Sequence, residues 1–126
     1  RVREFAEFAP ELSFVALDGA RLVGVIRLWR LNVGAEPVAF LGPIAVEQTE
    51  RSGGLGARLV EAACAATEAA GEAAIVLVGD MPFFGRMGFE VAEGVQMPGP
   101  VDPKRVLARR FRPVALDGMV QPRLQG

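Results

Sequence analysis

The chain has no histidine and no tyrosine, one cysteine and one lysine among its 126 residues. Without histidine, Ser-His-Asp and Cys-His catalysis is excluded. A zinc site would have to be built from Cys64 and scattered carboxylates, which falls short of the usual ligand set, so no metal is expected. Proton transfer is left to Asp, Glu, Cys64, backbone or water. A lone cysteine forms no internal disulfide. There is no signal-like start and no apolar run long enough to span a bilayer. A reducing cytoplasm and no membrane partner are therefore expected. The formal net charge of −1 argues against a nucleic-acid partner held by bulk electrostatics. Lys104 is the only lysine, and arginines gather at Arg105, Arg109, Arg110 and Arg112. They read as the charged face of an edge strand rather than a nucleic-acid surface.

Hydrophobic residues make up 51% of the chain and charged residues 23%, a globular composition. The length suits one domain, residues 1–126. The chain begins with Arg1 rather than methionine, so further residues are expected upstream. No internal repeat or low-complexity segment interrupts it.

Val2 to Ala9 carries apolar residues at helical spacing and stops at Pro10, which predicts the tail of a helix. Leu12 to Leu17, Arg21 to Leu31 and Val38 to Val46 read as strands. Asp18-Gly19 turns between the first two and Gly34-Ala35-Glu36-Pro37 between the second and third, predicting an antiparallel meander. Leu55 to Ala70 is a helix, with Leu55, Leu59, Ala62, Ala66 and Ala69 or Ala70 on its apolar face and Gly71 as its stop. Cys64 on this helix has no cationic neighbour at helical spacing and reads as a small packing residue, not a reactive thiol. Ala73 to Val78 is apolar throughout, the pattern of a strand buried on both faces. Asp80 can cap a short helix from Met81 to Met87. Strands are expected from Gly88 and over Arg105 to Arg112, and a turn-rich surface tail from Pro113.

The stretch Ile44 to Leu59 is the most informative. It reads as a buried strand, a polar turn, and a glycine-rich loop opening a long helix. Such a loop presents unpaired amides at the positive end of the helix, a seat for a phosphate or diphosphate. Gly53, Gly54 and Gly56 let the backbone approach the anion closely. The loop is not a P-loop, since Gly-Lys-Ser/Thr is absent. It is not a dinucleotide fingerprint, because Leu59 stands where a third glycine or alanine is needed. Pro43 falls inside an otherwise continuous apolar strand, which predicts a bulge or an unpaired edge there.

The order of elements resembles that of the GNAT superfamily of N-acetyltransferases. Arg51-Ser52-Gly53-Gly54-Leu55-Gly56 matches the family's acyl-CoA signature, which is Gln or Arg, two residues, Gly, one residue, then Gly or Ala. Phe84-Gly85-Arg86-Met87-Gly88-Phe89 matches a later motif, an aromatic residue, three spacers, then Gly-Phe. The likeness covers roughly Leu12 to Phe111. It implies a mixed α/β (α+β) sheet, an antiparallel meander followed by strand–helix–strand with a splayed parallel pair. The family's opening strand and first helix have no counterpart in this chain, so the domain is expected to be N-terminally incomplete.

The resemblance further implies acyl transfer from acetyl-CoA, or another acyl-CoA, to a primary amine of a small molecule or peptide by direct attack. Ile44, Ala45 and Val46 would pair with the pantetheine arm as a strand does. Arg51, Ser52, Gly53, Gly54, Leu55, Gly56, Ala57 and Arg58 would hold the diphosphate. Arg86 could add charge there or pair with Glu90. A backbone N–H near Ile44 or Ala45 would polarise the thioester carbonyl. Many members place a tyrosine where Phe84 stands, as acid for the departing thiolate, and phenylalanine donates no proton. The glutamate base that some members carry would fall near Phe40, where no carboxylate occurs. Asp80 is then the leading candidate to contact the amine, with helix capping as its alternative, and Glu36 and Glu47 follow. Trp29 and Arg27 share a strand face and could line an acceptor pocket or simply pack on the sheet. A homodimer fits the reading. The alternative function is a non-catalytic acyl-CoA-binding sensor or regulatory module, favoured by the missing tyrosine, histidine and strand glutamate. A third reading, a subunit that uses the fold only to dimerise, predicts no cofactor binding.

Overall fold

A computed structural model describes residues 7–48 and 53–123, with the side chains of Glu7 and Phe8 left aside. The strands are β1 (Glu7–Phe8), β2 (Phe14–Asp18), β3 (Arg21–Val33), β4 (Glu36–Val46), β5 (Ala74–Val78), β6 (Glu90–Val91), β7 (Val95–Gln96), β8 (Val106–Arg110) and β9 (Gly118–Pro122). The helices are α1 (Leu55–Ala69), after β4, and α2 (Met81–Phe84), after β5. The strands lie in the order β6-β8-β5-β4-β3-β9-β7, with β1 and β2 also on β3. This is the mixed α/β sheet implied by the element order.

The meander β2-β3-β4 forms as the turn residues dictate. Gly19 and Gly34 take positive φ at the two reversals, where a side chain would be strained. β3 is long because its buried and half-buried residues serve two cores. Ile26 and Leu28 pack under α1, while Leu31 and Val33 pack against Val38, Ala74, Val76, Val106 and Val120 on the other side. β5 is buried from Ala74 to Leu77, as a fully apolar run requires.

The face that α1 buries differs from the expected alanine stripe. Leu55, Leu59, Val60, Ala63, Cys64 and Thr67 are its buried residues, whereas Ala62 and Ala66 are half-buried and Ala69 and Ala70 exposed. The stripe is rotated because Val60 is bulkier than any alanine and takes the sheet-facing position. Gly24 of β3 lies directly under the helix. A Cβ there would stand 3.0 Å from Leu59 Cδ1 and 3.3 Å from Leu55 Cδ2.

Both ends of the described chain depart from the sequence expectation. Glu7 and Phe8 are strand, pairing with Arg30 and Trp29, and not the end of a helix; the rest of that expected helix falls largely outside the described residues. The open edge of β3 offers ladder partners that outweigh a helical spacing. Pro10–Leu12 is a 3₁₀ turn, so the next strand starts at Phe14. The segment expected as a surface tail carries β9, which pairs antiparallel with Leu31–Val33 and parallel with β7. The expected strand Arg105–Arg112 is shorter, and it is not an edge along its length. β8 pairs with β5 throughout and with β6 at Leu107 and Ala108.

Arg123 follows β9 and clasps this end of the sheet. Its guanidinium donates to both oxygens of Glu72, at 3.0 and 2.6 Å, and to the carbonyls of Leu31 and Val38, both at 2.9 Å. Glu72 is 6% exposed and also lies 3.7 Å from Arg30 Nε, and Arg30 pairs with Glu11. A buried carboxylate persists only when paired in this way. No helix among the described residues is long and apolar enough to cross a membrane.

Candidate active site

β4 and β5 run parallel, yet they pair only over Val38–Phe40 with Ala74–Val76. Beyond Phe40 the strands part. The cause is visible in β4: Ile44 faces Ile26 and Leu41 faces Leu28, so Gly42 and Pro43 together oppose Arg27 alone. Two residues against one is a β-bulge, the irregularity Pro43 predicted, and a bulge bends its strand. Proline also removes a ladder donor at the point of separation. Trp29 Nε1 donates to Gly42 O at 2.6 Å and pins the bulge from β3.

The alternation of the antiparallel ladder sets which peptides face the gap. Glu47 N donates to Val23 O at 2.8 Å, and Val25 opposes Ala45 two residues on. The peptide of Ala45 is thereby committed to β3, and that of Ile44 turns toward the gap. Of the two backbone donors considered from the sequence, Ile44 is the one so aimed.

At the open end stands the first turn of α1. Gly54 is its N-cap, with φ +79°, and among the described residues no side chain caps the helix. Arg58 N donates to Gly54 O at 3.1 Å, the first bond of the helical ladder, so Leu55, Gly56 and Ala57 lie ahead of it. Their amides, backed by a helix of 15 residues, form the positive end. Gly53 and Gly54 border open space: a Cβ would meet nothing within 4 Å at Gly53 and only Arg58 Nη1 at 3.9 Å at Gly54. Arg58 Nη1 donates to Gly53 O at 3.0 Å, so this exposed arginine folds back along the loop. Arg51 and Ser52 lie outside the described residues.

Between these parts runs a cleft of about 630 Å³ lined by Ile44, Ala45, Val46, Gly54, Gly56, Ala57, Asp80, Phe83 and Phe84. It gathers three separated segments: the end of β4, the start of α1 and the turn into α2. Gly56 keeps it open, because a Cβ there would lie 3.7 Å from Phe83 Cζ and 3.8 Å from Val46 Cγ2. The described walls are apolar, and Asp80 is the only ionisable lining residue among the described residues.

Phe84 is 7% exposed, its ring edge-on to Phe83 at 4.8 Å and to Phe89 at 5.5 Å between centroids. Gly79 makes room for it, since a Cβ there would lie 2.6 Å from Phe84 Cε2. Gly88, at φ +86°, ends the 3₁₀ turn Gly85–Met87 and delivers Phe89 to the core. Asp80 stands at the N-cap of α2, but its side chain makes no capping hydrogen bond. It is exposed, and it forms no ion pair among the described residues.

The other sequence candidates lie elsewhere. Glu47 pairs with Arg21 at 3.8 Å, and Glu36 begins β4, at the closed end of the parallel pair. Arg86 is exposed and forms no ion pair with Glu90. Arg27 is exposed opposite the bulge, while Trp29 is 9% exposed. Cys64 does have a cationic neighbour, which helical spacing alone could not reveal: Arg109, from β8. Burial nevertheless dominates and pushes the thiol up to about 11, against the opposing pull of Arg109. Arg109 Nη1 is held by Glu61 Oε1 and Met87 O, each at 3.2 Å.

The sequence model described as "Acetyltransferase (GNAT) family" matches residues 1–89. The chain belongs to this family. Solved structures agree in fold. A GNAT family N-acetyltransferase of Escherichia coli (YhbS), in complex with CoA, is 26% identical, with a TM-score of 0.79 over 94% of this chain and 69% of that one. A GNAT family acetyltransferase of Brucella melitensis, in complex with acetyl-CoA, is 24% identical, with a TM-score of 0.71 over 86% and 64%. The NatC complex bound to Gag peptide and CoA contains a chain 21% identical, with a TM-score of 0.68 over 82% and 73%. The GNAT chain thus spans about two thirds of the length of the first two structures. A search of curated proteins gave no match.

Proposed function

We propose that this GNAT domain transfers an acyl group from acetyl-CoA, or another acyl-CoA, to the primary amine of a small molecule or peptide. The observation that carries the reading is the opening of the β4–β5 pair directly in front of a helix whose N-cap is a glycine. The residues fit such a cofactor. The amides of Leu55, Gly56 and Ala57 would hold its diphosphate, with Arg58 adding charge. The peptide of Ile44 would bond to its amide-bearing arm as a neighbouring strand would. The thioester supplies the activated acyl group. A donor N–H from Ile44 would stabilise the carbonyl oxygen as it gains charge, an effect worth on the order of a hundredfold in rate. Holding both reactants in one cleft supplies much of the rest.

Related structures solved with CoA or acetyl-CoA support the cofactor assignment, and the family supports acetyl transfer. One observation favours the alternative, an acyl-CoA-binding sensor: the ring at position 84 has no hydroxyl. Calorimetric titration with CoA and release of free thiol over a panel of amines separate the two. Binding with turnover supports the enzyme, and binding without turnover on any amine supports the sensor. Absence of binding removes both.

A further inference from the structure

We propose that Asp80 carries both proton transfers of the reaction, taking a proton from the attacking amine and returning it to the departing sulfur. The inference rests on the acyl-transfer reading above. Three observations lead to it. Among the described residues, Asp80 is the only ionisable one lining the cleft, whose other described walls are glycine, alanine, aliphatic and phenyl groups. Among the described residues its carboxylate is not used by the fold, since it makes no capping bond and no ion pair there. It also stands one turn before Phe84, whose backbone N donates to Asp80 O at 2.9 Å, and both residues line the cleft. Charged groups of both signs stand on neighbouring elements, Glu90 of β6 among them. Arg105, ahead of β8, donates through Nε to Gly79 O at 3.2 Å; Arg58 lies along the Gly53 loop; Arg86 is exposed beyond α2.

The balance is simple. A neutral amine nitrogen bonds to the acyl carbon, and the proton it loses passes to Asp80. As the carbon–sulfur bond breaks, Asp80 gives that proton to sulfur and returns to the carboxylate. One group thus serves as base and then acid, and no tyrosine is needed.

Asp80→Asn separates this role from the fold. The Asp80 side chain makes no capping bond, so a near-isosteric asparagine keeps α2 while the shuttle is lost. With calorimetric CoA affinity within about twofold of wild type, amine-dependent thiol release should fall roughly 10²- to 10⁴-fold. A second readout needs no turnover. The thiol of bound CoA, followed by thiolate absorbance, should titrate at higher pH in wild type than in Asp80→Asn, because a carboxylate beside sulfur disfavours the thiolate. No tyrosine contributes to that signal, and the contribution of Cys64 is subtracted by titrating the protein without CoA. Unchanged turnover in Asp80→Asn, or identical thiol titrations, overturns the proposal while leaving the acyl-transfer reading intact. Failure of the wild type to bind CoA overturns the reading itself.

Discussion

Gly54→Asp tests the anion seat most directly. Gly54 has φ +79°, a conformation that costs a side-chain-bearing residue about 1–2 kcal/mol. Space is not limiting, since the new Cβ would meet only Arg58 Nη1 at 3.9 Å. The folding penalty is therefore about 1 kcal/mol, near 4 °C in Tm for a domain of this size. The binding penalty is larger. A carboxylate about 4 Å from a diphosphate costs about 1 kcal/mol per unit charge even at the dielectric constant of water, so about 2 kcal/mol for two charges. That separation is inside the Debye length at physiological salt, so screening is incomplete. CoA affinity should fall at least 30-fold, and more once the new carboxylate competes for the amides of the first turn. Gly54→Ala is the control: it carries the strain without the charge and should lose Tm while keeping affinity within a few fold. Titration calorimetry at 150 mM salt and thermal unfolding read the two effects separately. Equal affinity of Gly54→Asp and Gly54→Ala for CoA would refute the assignment of the diphosphate to this helix start.

Arg123→Ala should lower stability by about 2–4 kcal/mol in urea unfolding, because it strands a carboxylate that is 6% exposed; Arg30, at 3.7 Å, limits the loss. Adding Glu72→Gln should restore part of it, and an unchanged midpoint in Arg123→Ala would show that the clasp contributes nothing. Cys64 predicts an alkaline limit. Its thiol is raised from 9.0 to about 11 by burial, so the folded state holds that proton more tightly than the unfolded chain. The resulting stability is complete below pH 9 and is lost as pH rises from 9 to 11, on the order of 3 kcal/mol in all. Cys64→Ala should flatten that stretch of the pH–stability curve, and an equally steep fall in the variant would contradict the assignment. With no tyrosine and a single lysine, few other groups titrate there.

The parts of the fold legible from sequence are those specified locally. The turns at Gly19 and Gly34, the helix from Leu55, the buried run Ala74–Leu77 and the bulge at Pro43 each follow from a few adjacent residues. The glycine loop and the Gly-Phe motif sit close to their consequences for the same reason. What escaped was non-local. Glu7 and Phe8 are strand because Arg30 and Trp29 offer a ladder, and β9 forms because Leu31–Val33 does the same from the far side of the chain. No pattern in residues 113–123 announces that Arg123 will reach Glu72, 51 positions away. The proximity of Arg109 to Cys64 likewise exists only once β8 has packed beneath α1. For Asp80 the sequence left capping and chemistry open. The missing capping bond and the composition of the cleft wall argue for chemistry, and neither could be read from the residue order.

Gly24 has no chemistry of its own, yet it controls where the positive end of α1 points. It seats Leu55 and Leu59, the first two turns of the helix, so any added volume there acts as a wedge at the front of a rod. Tilting the rod would swing its leading amides away from the mouth between β4 and β5 without altering a single residue of the cleft. The aim of the helix is thus set from beneath, by an atom that β3 leaves out.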